Sequence, residues 1–280
     1  MIAIEIKNQH HQTISGKIDH EKEVAPFRAT NQTQAVLAIK EYAYQTGDYI
    51  EVTLDTTANY LMVQLEETLA PSLIYVPEHR WVYQILTTPL EKKAMVDTAF
   101  ISSRHHLMVR YAYPFEIKNY QNLTFNAYDQ KEFTGAYPHA YANVETRDET
   151  VFFAKNAIDG RYGNLSHGSY PFASWGINQM SEAALTIDFG RLVVLDWVQL
   201  FFRSDYPHDS YWDEVTVAFS DGTQQVIQTT NSLDSQSYRM NEQRTTYLRF
   251  YQLKKHPDVS PFPALTQIEA FGKNCLSSQE

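Results

Sequence analysis

Hydrophobic and polar residues alternate over short stretches of the chain, a pattern typical of β-strands with one buried face. In the first part of the chain, the predicted strands comprise residues 49–55, 60–66, 73–76, 81–86 and 107–111. The first two are separated by turn-prone residues and the next two by a segment that begins at Pro77, so each pair is predicted to form a hairpin. Residues 1–115 are therefore predicted to form a β-sandwich domain, to which the pattern assigns no role.

Two segments of this first part leave alternatives open. Residues 35–44 fit either a helical turn or a strand, because a short apolar run does not discriminate between the two by its period. Residues 1–20 are polar and rich in His, and they fit either a strand that enters the sheet or a loose arm.

The second part begins after a boundary placed at residues 113–118 and contains a second series of predicted strands. These comprise residues 184–190, 194–203, 215–219, 223–228, 247–253 and 265–272. Asp221-Gly222 lies between the third and the fourth and predicts a tight type I′ hairpin turn, which needs positive φ angles. No stretch long enough for a crossover helix separates these strands, so the sequence favours an antiparallel sandwich over a parallel α/β sheet.

Composition and charge narrow the possible partners. The chain has 280 residues, which is ordinary for two domains, and a formal net charge of -10 with no run of basic residues. Nucleic acids and anionic membranes are therefore disfavoured, because both need clustered Lys and Arg. No apolar run reaches the length of a membrane helix, the N-terminus lacks the layout of a signal peptide, and Cys275 is the only cysteine. We expect a cytoplasmic protein without disulfides.

Aromatic residues are abundant, with 19 Tyr, 15 Phe and 4 Trp. Many of these rings must pack in the cores, but those left on loops would form flat platforms. Such platforms are surfaces on which sugar rings stack.

Six segments of the second part match the motifs of one known family in its order. They are Asn156-Ala-Ile-Asp159-Gly160, Ser174-Trp175, the strand 185–190 (LTIDFG), the strand 198–203 that ends in Arg, the hairpin 214–222 and the closing strand 265–272. In these segments residues 119–273 resemble the discoidin, or coagulation-factor type C, domain, a galactose-binding-like jelly roll shared by many bacterial carbohydrate-binding modules. The whole chain also resembles a bacterial group of carbohydrate-binding proteins with an added N-terminal β domain. The resemblance implies an all-β chain with two β-sandwich domains, the second a discoidin-like jelly roll.

The resemblance also implies a structural calcium ion. In the family, the Asn-Ala-x-Asp-Gly loop often wraps such an ion, and the corresponding ligands here would be Asp159, Asn164 and Glu269. Calcium prefers six to eight oxygen ligands, which a curled loop can supply. The alternative is that Asp159 caps its own turn by a hydrogen bond and no metal is bound.

In such modules the sugar is held by loops at one end of the sandwich. The candidate ligand-binding residues in those loops are Arg203, Asp205, His208, Tyr211, Trp212, His139, Arg147 and His167. Charged and imidazole groups would bind vicinal hydroxyls, and a ring such as Tyr211 or Trp212 would cover the apolar face of the sugar. Each of these residues also has a purely structural interpretation. Trp212 would lie in the core, Arg203 and Asp205 would form a salt bridge with each other, and the loop histidines would form hydrogen bonds within the protein.

These observations predict a non-catalytic protein that binds a mono- or oligosaccharide. The sequence contains no G-x-S-x-G elbow, H-E-x-x-H helix, Gly-rich phosphate loop or C-x-x-C pair. Two other functions stay open: a sugar-active enzyme with its site between the two domains, and a protein-interaction module. A homodimer would be compatible with the last of these.

Overall fold

The computed structural model describes residues 1–20 and 24–276, and the chain divides into two compact units. Unit 1 comprises Met1–Tyr113 and Phe133–Ala136, and unit 2 comprises Pro114–Glu132 and Tyr137–Glu280. In both units the regular secondary structure is mostly antiparallel strands, so the predicted all-β fold class is confirmed. Assignment of Phe133–Ala136 to unit 1 differs from the sequence-based division, because the backbone N–H of Val82 donates to the carbonyl of Thr134 at 3.1 Å.

Unit 1 contains two four-stranded sheets and a two-stranded ribbon. Its strands are β1 (Ile2–Lys7), β2 (Ser15–Gly16), β3 (Ala25–Pro26), β4 (Arg28–Asn31), β5 (Gln34–Ile39), β6 (Tyr49–Leu54), β7 (Asn59–Gln64), β8 (Ser72–Val76), β9 (Arg80–Gln84) and β10 (His105–Tyr111), with a 3₁₀ turn at Glu91–Ala94. The sheet orders are β4-β1-β6-β9 and β5-β10-β7-β8. The strand alternatives for residues 1–20 and 35–44 are thus the correct ones, since alternate side chains of β1 and β5 are buried.

Neither hairpin predicted in unit 1 forms. β6 pairs with β1 and β9, whereas β7 pairs with β10 and β8, so the chain crosses from one sheet to the other after β6. It crosses again between β8 and β9. Both edges of β6 are occupied by strands distant in sequence, which a local pattern of turn residues does not reveal.

Unit 2 is built around one eight-stranded antiparallel sheet. Its strands are β11 (Gln121–Asn122), β12 (His139–Ala142), β13 (Trp175–Gly176), β14 (Leu185–Phe202), β15 (Trp212–Phe219), β16 (Gln224–Gln228), β17 (Gln236–Lys255) and β18 (Ala264–Asn274). A short helix at Pro114–Lys118 and 3₁₀ turns at Thr146–Asp148, Thr150–Phe152 and Ala154–Ile158 complete the unit. The main path is β11-β18-β14-β17-β15-β16, with β12 added to β14 and β13 to β18. None of the helices in the described part of the chain is long and apolar enough to cross a membrane.

The long strand β14 pairs with β17 on both sides of a register change between Asp188 and Val193, while its other edge pairs with β12 before this change and with β18 after it. Gly190 lies at this irregularity with φ +63°, and a Cβ atom there would lie 2.2 Å from the ring of Tyr137. A side chain is therefore excluded by both conformation and space. Beyond this point the strand runs to Phe202 and places the following loop at one end of the unit.

The hairpin predicted around Asp221-Gly222 is confirmed, but its turn is not type I′. Gly222 has φ +85°, while Asp221 does not have a positive φ. Phe219 and Thr223 are joined by a backbone hydrogen bond of 3.0 Å, and Asp221 Oδ1 accepts from Thr223 N at 2.9 Å. The connection is therefore a three-residue loop in which a left-handed glycine follows an ordinary turn.

One hydrophobic core fills unit 2, and the family-like motifs contribute to it. Trp175, Trp212 and Phe250 are fully buried in this core. Asn156 of the Asn-Ala-Ile-Asp-Gly loop is also buried, and its Nδ2 donates to the carbonyl of Thr150 at 2.9 Å. Trp175 Nε1 donates to the carbonyl of Val144 at 2.9 Å. These motifs hold the loops of unit 2 in place.

Candidate ligand-binding pocket

A cavity of about 160 Å³ lies within unit 2, where five segments of the chain meet. Its wall combines Arg147, His167, Arg203 and His208 with residues 176–179 and 262–264. The structure thus brings four of the eight predicted ligand-binding residues to one cavity. Phe152, Ile177 and Phe262 supply its apolar surface.

Arg203 connects two of the segments that form the wall. It follows the last residue of β14, and its side chain is buried. Its Nη2 donates to the backbone carbonyls of His208, at 2.8 Å, and of Phe262. Burial lowers the pKa of the guanidinium, while the charges of Asp205 and Asp209 oppose this shift. Arg203 is therefore a clamp that holds the loop 204–211 against the segment 257–263.

The salt bridge considered between Arg203 and Asp205 is not formed. Asp205 instead accepts a hydrogen bond from Nδ1 of His167, which brings the loop around His167 to the pocket. The rings of His167 and His208 meet edge to face with centroids 5.4 Å apart. Within the described residues the ring of His208 has no hydrogen-bond partner, so its nitrogens are free to bind a ligand.

Strained backbone surrounds the same cavity. Arg147, Asp148, Asn178 and Gln179 all have positive φ angles, between 47° and 61°. Thr146 Oγ1 accepts from the backbone N–H of Asn178 at 2.9 Å and joins the two strained segments. Non-glycine residues in this conformation cost of order 1 kcal/mol each and concentrate at functional sites. The strain directs two exposed polar side chains, Asn178 and Gln179, to the pocket rim.

Phe262 supplies an exposed ring at the rim of the cavity. It lies between Pro261 and Pro263, and 46% of its surface is accessible, whereas Phe152 and Ile177 are buried in the wall. From the sequence, Pro261-Phe262-Pro263 was expected to rim the same end of the sandwich, whereas Asn178 and Gln179 were not among the candidate residues. For Asn178 and Gln179, the sequence signal that could have indicated them is a pair of polar residues shortly after a buried strand.

Three predicted ligand-binding residues lie elsewhere. Trp212 is fully buried between Phe202 and Phe250, so it is a core residue and its prediction as a sugar platform is wrong. His139 is buried too, and its Nδ1 bonds to Asp129 Oδ1 at 2.8 Å. Burial lowers the pKa of His139, but the hydrogen bond to Asp129 and the charges of Asp129, Asp188 and Glu132 together outweigh it, so the net shift is upward. Tyr211 lines a neighbouring depression and is not part of the cavity wall.

The proposed calcium loop is held together by a guanidinium group. Asp159 Oδ2 pairs with Arg161 Nη1 at 2.7 Å, and its Oδ1 accepts from Arg161 N at 3.0 Å and Gln267 Nε2 at 2.9 Å. The contact with Arg161 N is the Asx-type bond of the metal-free alternative. The carboxylate is therefore already compensated by protein donors.

The other two predicted calcium ligands also form hydrogen bonds, Asn164 through its amide nitrogen and Glu269 through one carboxylate oxygen. Asn164 Nδ2 donates to the carbonyls of Phe202 and Leu233, at 3.1 and 2.9 Å. Glu269 Oε1 accepts from Tyr162 at 2.7 Å. No cluster of three or more His, Cys, Asp or Glu side chains among the described residues could hold a metal ion. Among the three predicted ligands, Asp159 already has a cationic partner in Arg161, which argues against calcium at this loop.

Comparison with known proteins finds likeness in solved structures. No protein-family model and no curated protein sequence matches the chain. A chitosan-binding module from a chitosanase/glucanase of Paenibacillus sp. IK-5 is 16% identical with a TM-score of 0.38, over 55% of this chain and 100% of that one. The family 32 carbohydrate-binding module of Clostridium perfringens NanJ, solved with galactose, is 13% identical with a TM-score of 0.37, over 47% and 91%. A fucose-binding module of Streptococcus pneumoniae is 13% identical with a TM-score of 0.39, over 55% and 96%.

These neighbours are carbohydrate-binding modules of the discoidin-like, galactose-binding-like fold, and they cover about half of the chain.

Proposed function

We propose that unit 2 binds a mono- or oligosaccharide in this pocket by non-covalent contacts. The observation that carries the proposal is the combination of an exposed ring with free polar groups around a small cavity. Phe262 offers an apolar face, while His208, Asn178 and Gln179 offer donors and acceptors that no described residue occupies. A pyranose has the complementary surface, with C–H groups on one face and hydroxyls around its edge.

The charges around the pocket support a neutral ligand. Arg147 forms a bidentate ion pair with Glu149, at 2.8 and 3.2 Å, and His167 pairs with Asp205. Arg203 is flanked by the charges of Asp205 and Asp209. Because nearby carboxylates compensate the cationic groups, an anionic ligand would meet little net positive charge.

The size of the cavity supports a ligand of one sugar ring. Its volume of about 160 Å³ is smaller than the roughly 300–1,000 Å³ of sites for drug-sized ligands. A single ring with one stacking contact and a few hydrogen bonds gives an affinity in the millimolar range, about 4 kcal/mol of binding free energy.

Titration calorimetry with galactose, glucose and N-acetylglucosamine at millimolar concentrations tests the proposal. We expect at least one to bind, and Phe262→Ala to weaken its binding about tenfold, because a stacked ring contributes about 1 to 1.5 kcal/mol. Tyr141→Ala is the matched control, since Tyr141 is 49% exposed and does not line the cavity. Absence of binding by the folded protein to all three sugars, or equal loss in both variants, would contradict the proposal.

A further inference from the structure

A second depression adjoins the pocket, and we propose that it binds the next ring of an oligosaccharide whose first ring lies in the pocket. This inference rests on the proposed function and deepens it from a monosaccharide to a chain of at least two sugars. The depression has a volume of about 260 Å³. Its wall includes Tyr206, Asp209, Tyr211, Asn231, His256 and Val259.

The two cavities are separated by a narrow ridge. His208 lines the pocket while Pro207 and Asp209 line the depression, and Phe262 lines the pocket while Ser260 lines the depression. The carbonyl of His208 accepts from Arg203 Nη2 and from Ser260 Oγ, both at 2.8 Å. The residues that line the two cavities are therefore adjacent in one segment and two positions apart in the other, which is about 4 to 7 Å along the chain. A short glycan can span such a ridge.

The depression carries rings of the kind that a sugar stacks on. Tyr206 is 90% exposed at its edge. Tyr211 stacks on His256 with ring centroids 4.6 Å apart and an interplanar angle of 21°, and His256 Nδ1 bonds to Asp213 at 2.9 Å. Val259 is fully exposed. Together these side chains form an apolar surface that has two fixed rings and one ring free to adapt.

Polar groups for hydroxyl recognition lie beside these rings. Within the described part of the chain, the Asp209 carboxylate and the Asn231 carboxamide have no side-chain hydrogen bond. Asp258 differs, because its carboxylate accepts from Ser210 at 2.8 and 2.9 Å and from Lys255 at 2.6 Å. Asp258 thus braces the wall, while Asp209 and Asn231 can bind the ligand.

The walls of both cavities are held by the same buried side chain, that of Arg203. Arg203 holds the backbone of His208 and of Phe262, and these two residues belong to the segments that line both cavities. The spacing between the cavities is therefore set by buried hydrogen bonds, although the rings at their rims are exposed. A preformed spacing lowers the cost of binding a second ring.

Calorimetry with sugar series of increasing length tests the inference. The probes are galactose with β-1,4-galactotetraose, glucose with cellotetraose, and N-acetylglucosamine with its β-1,4-linked tetramer. In the series whose monosaccharide binds, we expect the tetramer to bind about tenfold tighter. Tyr206→Ala should remove that gain and leave the monosaccharide affinity within about twofold. Tyr141→Ala should retain both affinities.

The outcomes separate this inference from the proposed function. Binding of a monosaccharide without any gain for its tetramer overturns the second subsite alone. A Tyr206→Ala variant that loses monosaccharide affinity as well also overturns it, because the loop would then serve only the first pocket. Absence of binding by every monosaccharide and tetramer overturns both proposals.

Discussion

Trp212 lies in the core of unit 2, where its ring meets Phe202 and Phe250 edge to face at centroid distances of 5.3 and 5.8 Å. Tyr206 and Phe262, only a few residues away from buried positions of the same segments, are instead exposed. A buried ring can therefore stabilise the core, whereas only an exposed ring can contact a ligand. The exposed fraction of Trp212 is 0%.

We predict that Trp212→Ala lowers the free energy of unfolding by about 3 to 5 kcal/mol, because removal of a buried ring leaves a cavity that the core fills only in part. Chemical denaturation of the full chain, followed by circular dichroism, measures the loss. Tyr206→Ala is the control and should change stability by no more than about 0.5 kcal/mol. A stable Trp212→Ala variant with reduced sugar affinity would contradict the core assignment.

At the scale of single residues, the sequence predicted which polar side chains lie together better than it predicted which aromatic rings are buried. Arg203, His167, His208 and Arg147 were selected because such residues cluster in loops, and they do line one cavity. Burial of Trp212 and exposure of Phe262 depend on which strand packs over each ring. That packing is set by residues distant in sequence, so a local pattern cannot reveal it.

Among the elements, the strands themselves could be predicted from alternation, but their partners could not. The predicted strands over residues 49–55 and 60–66 correspond to β6 and β7, which lie in different sheets. Only the Asp221-Gly222 hairpin combined a local turn with a local pairing, and it formed. The first half of β17, Gln236 onward, was missed because its sequence is mostly polar and its exposed residues outnumber the buried ones.

The loop around Asp159 contains a buried ion pair. Arg161 is two residues away, only 17% of its side chain is exposed, and its guanidinium contacts a carboxylate that is itself almost fully buried. Burial raises the pKa of Asp159, and the charge of Arg161 opposes that shift. The arginine thus places a positive charge next to the buried carboxylate.

We predict that EDTA leaves the melting temperature of the protein unchanged, whereas Arg161→Ala lowers the free energy of unfolding by about 3 kcal/mol, because it leaves a buried carboxylate without its partner. Thermal unfolding with and without chelator, and denaturation of the variant, measure these effects. Arg147→Ala is the matched control, since Arg147 pairs with Glu149 at an exposed position. That substitution should cost less than about 1 kcal/mol. A lower melting temperature in EDTA would show that a metal ion is bound after all.

At the scale of the whole molecule, the chain combines two units with separate cores. Trp81 is buried in unit 1 and Trp212 in unit 2. The pocket, the depression and the Arg203 clamp all belong to unit 2. Length made two domains the first expectation and one large β domain the alternative, and the strand pattern favoured β domains. The return of Phe133–Ala136 to unit 1 was not predictable, because only four residues carry it and they contain no strand pattern.

Because each unit has its own core, we predict two thermal transitions by scanning calorimetry, with Trp81→Ala lowering one and Trp212→Ala the other. A sugar that binds unit 2 stabilises only the folded form of that unit. At about ten times its dissociation constant it adds about 1.4 kcal/mol, or roughly 3 to 5 °C, to the transition that Trp212→Ala lowers. The transition that Trp81→Ala lowers should stay in place and serves as an internal control. A sugar-dependent shift of that second transition instead would place the ligand in unit 1 and contradict the assignment of binding to unit 2.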